Sequence, residues 1–226
     1  DLLLRMVGSD GRGYYVPGDI KAHKTLKDAK TKSALLSLPH DPATRLETPG
    51  LVEEVAGCLD DFLQLAHYSR MIDAAGHGPA QEAREGFIIG TDEVGAEFDS
   101  RFVLTWHQLT SSLFQTFSAS EGKKKRSALE RYDHEHDFRL KVAKVAAERT
   151  GAVTDPAPLV KPIGQEECLE CPYEEYCGEL MEGQASREIT SGRLTIREWM
   201  TLQDLGVTST SELAQADLTD AQWVAA

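Results

Sequence analysis

Asp1-Leu-Leu-Leu-Arg-Met-Val7, then Gly8-Ser-Asp-Gly-Arg-Gly13, then Tyr14-Tyr-Val-Pro-Gly-Asp-Ile-Lys-Ala-His23 open the chain. An apolar run of strand length, a cluster of turn residues and a second strand-like run predict a β-hairpin. On the second strand Asp19 and Lys21 stand two apart and share a face, with His23 beyond them. The opposite face carries Val16, Gly18, Ile20 and Ala22, small and apolar, and is expected to pack on a core. Asp1, on the neighbouring strand, would face the same cleft as Asp19. Two carboxylates and the backbone carbonyl of Ile20 make a hard oxygen site suited to Mg2+ or Mn2+. A lysine beside such a site can orient a water and counter the charge that develops on a phosphate. Taken alone, Asp-x-Lys is also what an exposed ion pair looks like.

Beyond the hairpin, residues 24–50 are rich in lysine and contain Pro39, Pro42 and Pro49, which suggests a loop or lid. Apolar residues near helical spacing predict a helix over 51–75, ended by Gly76-His-Gly-Pro79. Residues 87–89 and 102–106 are short strand candidates, and 127–150 a second long helix with Leu129, Phe138, Val142 and Val145 apolar. A proline-bearing linker over 151–165, a cysteine segment and a helical tail near 195–216 follow. The pattern is α/β with helical additions.

Composition narrows the function classes. The 226 residues hold 24 basic and 37 acidic groups, a net of −13. The charge is uneven: residues 1–50 and 121–150 are net positive, while 51–120 and 151–226 are net negative. Attraction to nucleic acid, which rests on Lys and Arg, would come from local patches such as Lys123-Lys-Lys-Arg126. No apolar run approaches the ~18 residues of a membrane helix, and no segment has the pattern of a secretion signal. Four Cys are too few for a disulfide scaffold in a chain of this length. Three of them, Cys168, Cys171 and Cys177, form C-x2-C-x5-C with Pro172 after the second. That spacing suits one soft metal centre, zinc or iron–sulfur, in a reducing compartment, and a complete site needs four ligands.

In the helix after the hairpin, Gln64-Leu-Ala-His-Tyr68 puts an amide and a phenol at i and i+4, on one stripe. The order of Asp1, then Asp19-Ile20-Lys21 on a strand, then Gln64 and Tyr68 on the next helix resembles the RecB-like branch of the PD-(D/E)xK nucleases. The resemblance implies that Asp1 and Asp19 bind the catalytic metal with Ile20, that Lys21 assists the nucleophilic water, and that Gln64 and Tyr68 lie beside the nucleic acid. It also implies a [4Fe-4S] cluster on Cys168, Cys171 and Cys177. In the iron–sulfur members the fourth Cys precedes the core, so the expectation is that this chain is truncated before Asp1. Cys58 is expected to be a small core residue.

The resemblance covers about residues 1–215, with 116–139 matching RecB-like nucleases that carry a helical tail. Its implied organisation is an α/β restriction-endonuclease-like core, a central mixed sheet flanked by helices, over 1–150. A linker and cysteine segment would take 151–185, and a helix-hairpin-helix-like tail 186–226. The segment 202–214 lacks a full Gly-x-Gly hairpin. His134 and His136, two apart on a predicted helix, point apart and are expected to be solvated or hydrogen-bonded. The expected function is metal-dependent hydrolysis of DNA, single- or double-stranded, in the cytoplasm, with a helicase or second nuclease domain as possible partners and no membrane. The alternatives are a non-catalytic nucleic-acid-binding scaffold and a zinc-binding interaction domain.

Overall fold

The computed structural model describes the chain except residues 56, 80–83, 95–97, 99, 101, 119–121, 158, 160, 161, 165–167, 169, 170, 186–195, 218 and 220–226. The start of the tail and parts of the linker and cysteine segment therefore lie outside the described residues, as do the side chains of residues 117, 118, 122, 123, 196 and 197. The chain divides into two units, Asp1–Lys141 and Val142–Ala226. The fold is mixed α/β.

In the first unit the hairpin forms as expected. Strands β1 (Leu2–Val7) and β2 (Gly13–Ile20) pair antiparallel with Leu2 opposite Gly18, so Asp1 falls opposite Asp19. They belong to a six-stranded mixed sheet in the order β1-β2-β5-β6-β3-β4. The other strands are β3 (Leu26–Leu38), β4 (Asp41–Glu53), β5 (Glu85–Ile89) and β6 (Leu104–Gln108). β2 and β5 run parallel; the other pairs are antiparallel.

Residues 24–50 are thus not a loop or lid but most of a long hairpin, with 13 residues in each strand. Its prolines are tolerated because β4 is an edge strand, where an N–H facing away from the sheet has no ladder partner to lose. Its lysines disguise it because residues 27–33, of which Lys27, Asp28 and Ser33 pair with β4, lie almost wholly exposed, whereas Ala34, Leu36 and Ser37 are buried. The expected helix over 51–75 is also corrected: Leu51–Glu53 ends β4, and helix α1 spans Leu59–Ala74.

α1 lies on one face of the sheet. Its stripe Phe62, Leu65 and Ala66 packs with Ile88, Leu109, Phe114, Ala128, Leu129 and Cys58. Gly86 permits the close approach, since a Cβ there would meet Leu65 at 3.0 Å. The opposite face holds Val16, Phe87, Leu104 and Trp106, flanked by Leu2, Leu4 and Met6. Ile20 and Ala22, expected on that packed face, are exposed instead, Ile20 at 62%. A two-stranded hairpin, β7 (Phe114–Ser118) with β8 (Gly122–Arg126), precedes helix α2 (Ala128–Glu148). No helix among the described residues is long and apolar enough to cross a membrane.

His107 on β6 is 2% exposed and packs edge-on to Phe62, with ring centroids 4.7 Å apart. Neither ring nitrogen has a hydrogen-bond partner among the described residues. Burial pulls its pKa from 6.5 down to about 4. Below the ordinary value the unfolded chain takes up a proton that the folded chain refuses. Stability is therefore expected to fall as pH drops from about 6.5 to about 4, by about 3 kcal/mol in all. Urea midpoints of wild type and His107→Leu measured across that window test this; the variant's curve should be flatter.

In the second unit, helix α3 (Glu174–Leu180) follows the second cysteine, and α4 (Ile196–Asp204) and α5 (Thr210–Gln215) form the tail. Gly206, at φ +73°, turns the chain between α4 and α5, and Ser209 and Glu212 close a capping box on α5. Ala185, Leu202 and Val207 make a small core, and the Ala185 amide donates to Thr208 O at 3.0 Å. Residues 184 and 185 thus pair and pack with the tail.

Candidate active site

β2 delivers Asp19 and then Lys21 to the sheet face on which α1 lies. Asp19 pairs with Ile88 in the β2–β5 register, and the Lys21 amide donates to Ile89 O at 2.9 Å. Strand alternation puts both side chains on one side, where Lys21 Nζ lies 2.9 Å from Asp19 Oδ2. α1 contributes Asp61, Gln64 and Tyr68, spaced i, i+3 and i+7 and so on one stripe.

These side chains form one hydrogen-bonded path. Lys21 Nζ donates to Gln64 Oε1 at 2.6 Å, Gln64 Nε2 to Tyr68 Oη at 2.7 Å, and Tyr68 Oη to Asp1 Oδ1 at 2.8 Å. Because the Lys21 ammonium can only donate, Oε1 of Gln64 must face it, which fixes the orientation of the Gln64 amide. All five residues singled out in the sequence, Asp1, Asp19, Lys21, Gln64 and Tyr68, thus meet around one point. Gln64 and Tyr68, expected beside a substrate, also brace Lys21 against Asp1.

Two further members of the cluster, Asp61 and His23, had no role assigned from the sequence. Asp61, 5% exposed, sits 3.2 Å from Lys21 Nζ through Oδ1 and 2.7 Å from His23 Nε2 through Oδ2. The signals were present: Asp61 lies one turn before Gln64, and His23 two residues after Lys21. An acid in the first helical turn, however, also reads as a partner of the helix dipole.

The electrostatics set the protonation states. Burial pushes the Asp19 carboxyl up, but the Lys21 ammonium and the Ile20 amide help take it below its ordinary value. Burial pushes Lys21 down, and hydrogen bonds with Asp19 and Asp61 outweigh it, raising the ammonium pKa. Lys21 is therefore a cation and hydrogen-bond donor, not a proton acceptor. The ligand atoms that Asp1 and Asp19 offer are oxygens only, and Asp1 Oδ1 and Asp19 Oδ2 each accept one described bond, leaving a lone pair that fits a hard divalent cation.

Beside Asp1 and Tyr68 opens a groove of about 630 Å3 lined by Leu3, Tyr15, Met71, Ile72 and His77. In the second unit Cys168, Cys171 and Cys177 are half-buried free thiols. The Cys171 amide donates to Cys168 O at 3.2 Å, and Cys177 lies in α3. Among the described residues, these three do not form a group whose ligand atoms all lie within 4.8 Å of one another. A mononuclear zinc site needs that convergence; a cluster, whose thiolates bind different irons, does not. His134 and His136 form no such group either, and His136 stacks on Tyr132 with centroids 5.5 Å apart. Set beside known proteins, the chain matches no protein-family model, no curated protein and no solved structure.

Proposed function

We propose that the chain carries a RecB-like PD-(D/E)xK nuclease core of restriction-endonuclease-like fold, hydrolysing DNA phosphodiester bonds with Mg2+ or Mn2+. The observation that supports this is the continuous path Asp1–Tyr68–Gln64–Lys21–Asp19, which joins residues from three separated stretches in the combination that family pattern requires. The mixed sheet with α1 across the face bearing Asp19 and Lys21 accords with such a core.

In this reading Asp1, Asp19 and the Ile20 carbonyl would hold the divalent ion, which would polarise the phosphate and help activate water. Lys21, held protonated by Asp19 and Asp61, counters the negative charge growing on the phosphoryl oxygens, and donates to the attacking water by turning one N–H away from Gln64, Asp19 or Asp61. Asp61 positions Lys21, while Gln64 and Tyr68 set its distance from Asp1 and meet the nucleic acid on their solvent side. Cys168, Cys171 and Cys177 would hold a structural [4Fe-4S] cluster with a fourth thiolate from elsewhere. The direct test is release of end label from single- and double-stranded DNA with Mg2+ or Mn2+ present. Asp19→Asn is expected to reduce it at least about a hundredfold with DNA binding retained; equal cleavage by the variant would refute the assignment.

DNA attraction in a chain of net −13 must be local. β8 carries the Lys123–Arg126 patch, in which Lys124 and Lys125 are exposed and Arg126 donates to Thr116 Oγ1. With ~0.9 units of salt slope per neutralised phosphate, changing all four to Gln is expected to lower the slope of log K against log salt by up to about 4. An unaltered slope would move binding to the exposed Lys24, just before β3, and Lys27, Lys30 and Lys32 within it.

A further inference from the structure

We propose that His23, Cys58 and Asp61 form a second metal site, for Zn2+ or a similar borderline transition ion, on the side of Asp61 turned away from Lys21. It is the group of three metal-ligating side chains, among the described residues, whose ligand atoms all lie within 4.8 Å of one another. The two oxygens of Asp61 divide the work. Oδ1 faces Lys21 at 3.2 Å and Oδ2 faces His23 Nε2 at 2.7 Å, so Oδ2 can bind an ion while the Lys21 pair stays intact.

The geometry is close to what a tetrahedral ion asks. Nitrogen, sulfur and oxygen ligands around one zinc stand about 3.3–3.6 Å apart. Reaching that from the present arrangement opens the His23–Asp61 contact by under about 1 Å. His23, with its side chain 48% exposed, can swing, whereas Cys58 and Asp61 are fixed, Cys58 by burial at 4% just before α1 and Asp61 in the helix's first turn. Three protein ligands leave a fourth position for water on the His23 side.

Donor chemistry selects the ion. A thiolate and an imidazole beside one carboxylate favour zinc or cobalt over magnesium, the reverse of the all-oxygen pair Asp1 and Asp19. Burial, and then the Asp61 charge, push the Cys58 thiol up to about 11. A divalent cation cancels the repulsion between thiolate and carboxylate; on binding, it replaces the Sγ proton, which passes to solvent. The Sγ contact with Lys24 O, at 3.9 Å, is weak and easily given up.

Cobalt is the probe. The 226-residue chain with Cys168, Cys171 and Cys177 changed to Ser keeps Cys58 as its one thiol, because it has four Cys. Titration with Co2+ is expected to raise sulfur-to-cobalt charge-transfer absorption, complete at one equivalent and abolished by Zn2+. Adding Cys58→Ser should remove the band, and adding His23→Ala should weaken binding by at least about tenfold. No band from a triple variant with native circular dichroism would overturn the proposal. Should that variant fail to fold, His23→Ala in the unaltered chain is expected to lose one equivalent of bound zinc, and an unchanged stoichiometry overturns it equally. Neither readout involves DNA cleavage, so this site and the nuclease reading stand or fall separately.

Discussion

Lys21→Ala is expected to reduce divalent-dependent cleavage by about 10²–10³ in kcat, the usual loss when a donor to developing transition-state charge is removed. The variant also leaves Asp19 and Asp61, with side chains 10% and 7% exposed, without their shared cation. Stripping one partner from such a cluster costs about 3 kcal/mol, so the melting temperature should fall along with activity. The two effects can be separated. In Lys21→Ala/Asp61→Asn one of the two stranded charges is gone, and an amide still meets His23, so part of the stability should return while cleavage does not. Thermal melts and single-turnover cleavage on both variants decide it. Wild-type cleavage by purified Lys21→Ala would end the nuclease reading; activity that recovers with stability in the double variant would reduce Lys21 to a structural role.

The site was legible where simple periods applied. The two-residue period of a strand put Asp19 beside Lys21, the hairpin turn brought Asp1 opposite, and the helical period stacked Gln64 on Tyr68. Asp61 escaped because first-turn acids have an ordinary explanation, and His23 because a single histidine past a strand end has no partner until a fold supplies one. The long β3–β4 hairpin was illegible for a definite reason. Strand alternation reports a buried face, and residues 27–33 have almost none, being paired on one edge and exposed. The start of α1 was misplaced because Leu51 and Val55 continue its period by accident across the end of β4. The β2–β5–β6 neighbour order, which carries the chain across the sheet after 64 intervening residues, rests on non-local packing that no local pattern encodes.

Gly18→Ala tests whether that non-local packing positions the site. Gly18 lies opposite Phe87 in the parallel β2–β5 pair, one residue before Asp19, and a Cβ there would overlap the Phe87 ring. The ring has nowhere to retreat: it is 3% exposed and wedged among Val16, Leu104 and Trp106, with the Trp106 centroid 5.5 Å away. β2 must then move off β5, at a cost of about 3 kcal/mol, and take Asp19 and Lys21 out of register with Gln64 on α1. Stability and cleavage should therefore fall together, although Gly18 itself bears no functional group. Phe87→Leu makes room. Alone it should cost about 1 kcal/mol through lost packing, and combined with Gly18→Ala it should recover at least about 1 kcal/mol and part of the activity. Urea denaturation of the two single variants and the double variant measures this coupling. Strict additivity would mean that Gly18 acts through the flexibility of β2 and not through its fit against Phe87.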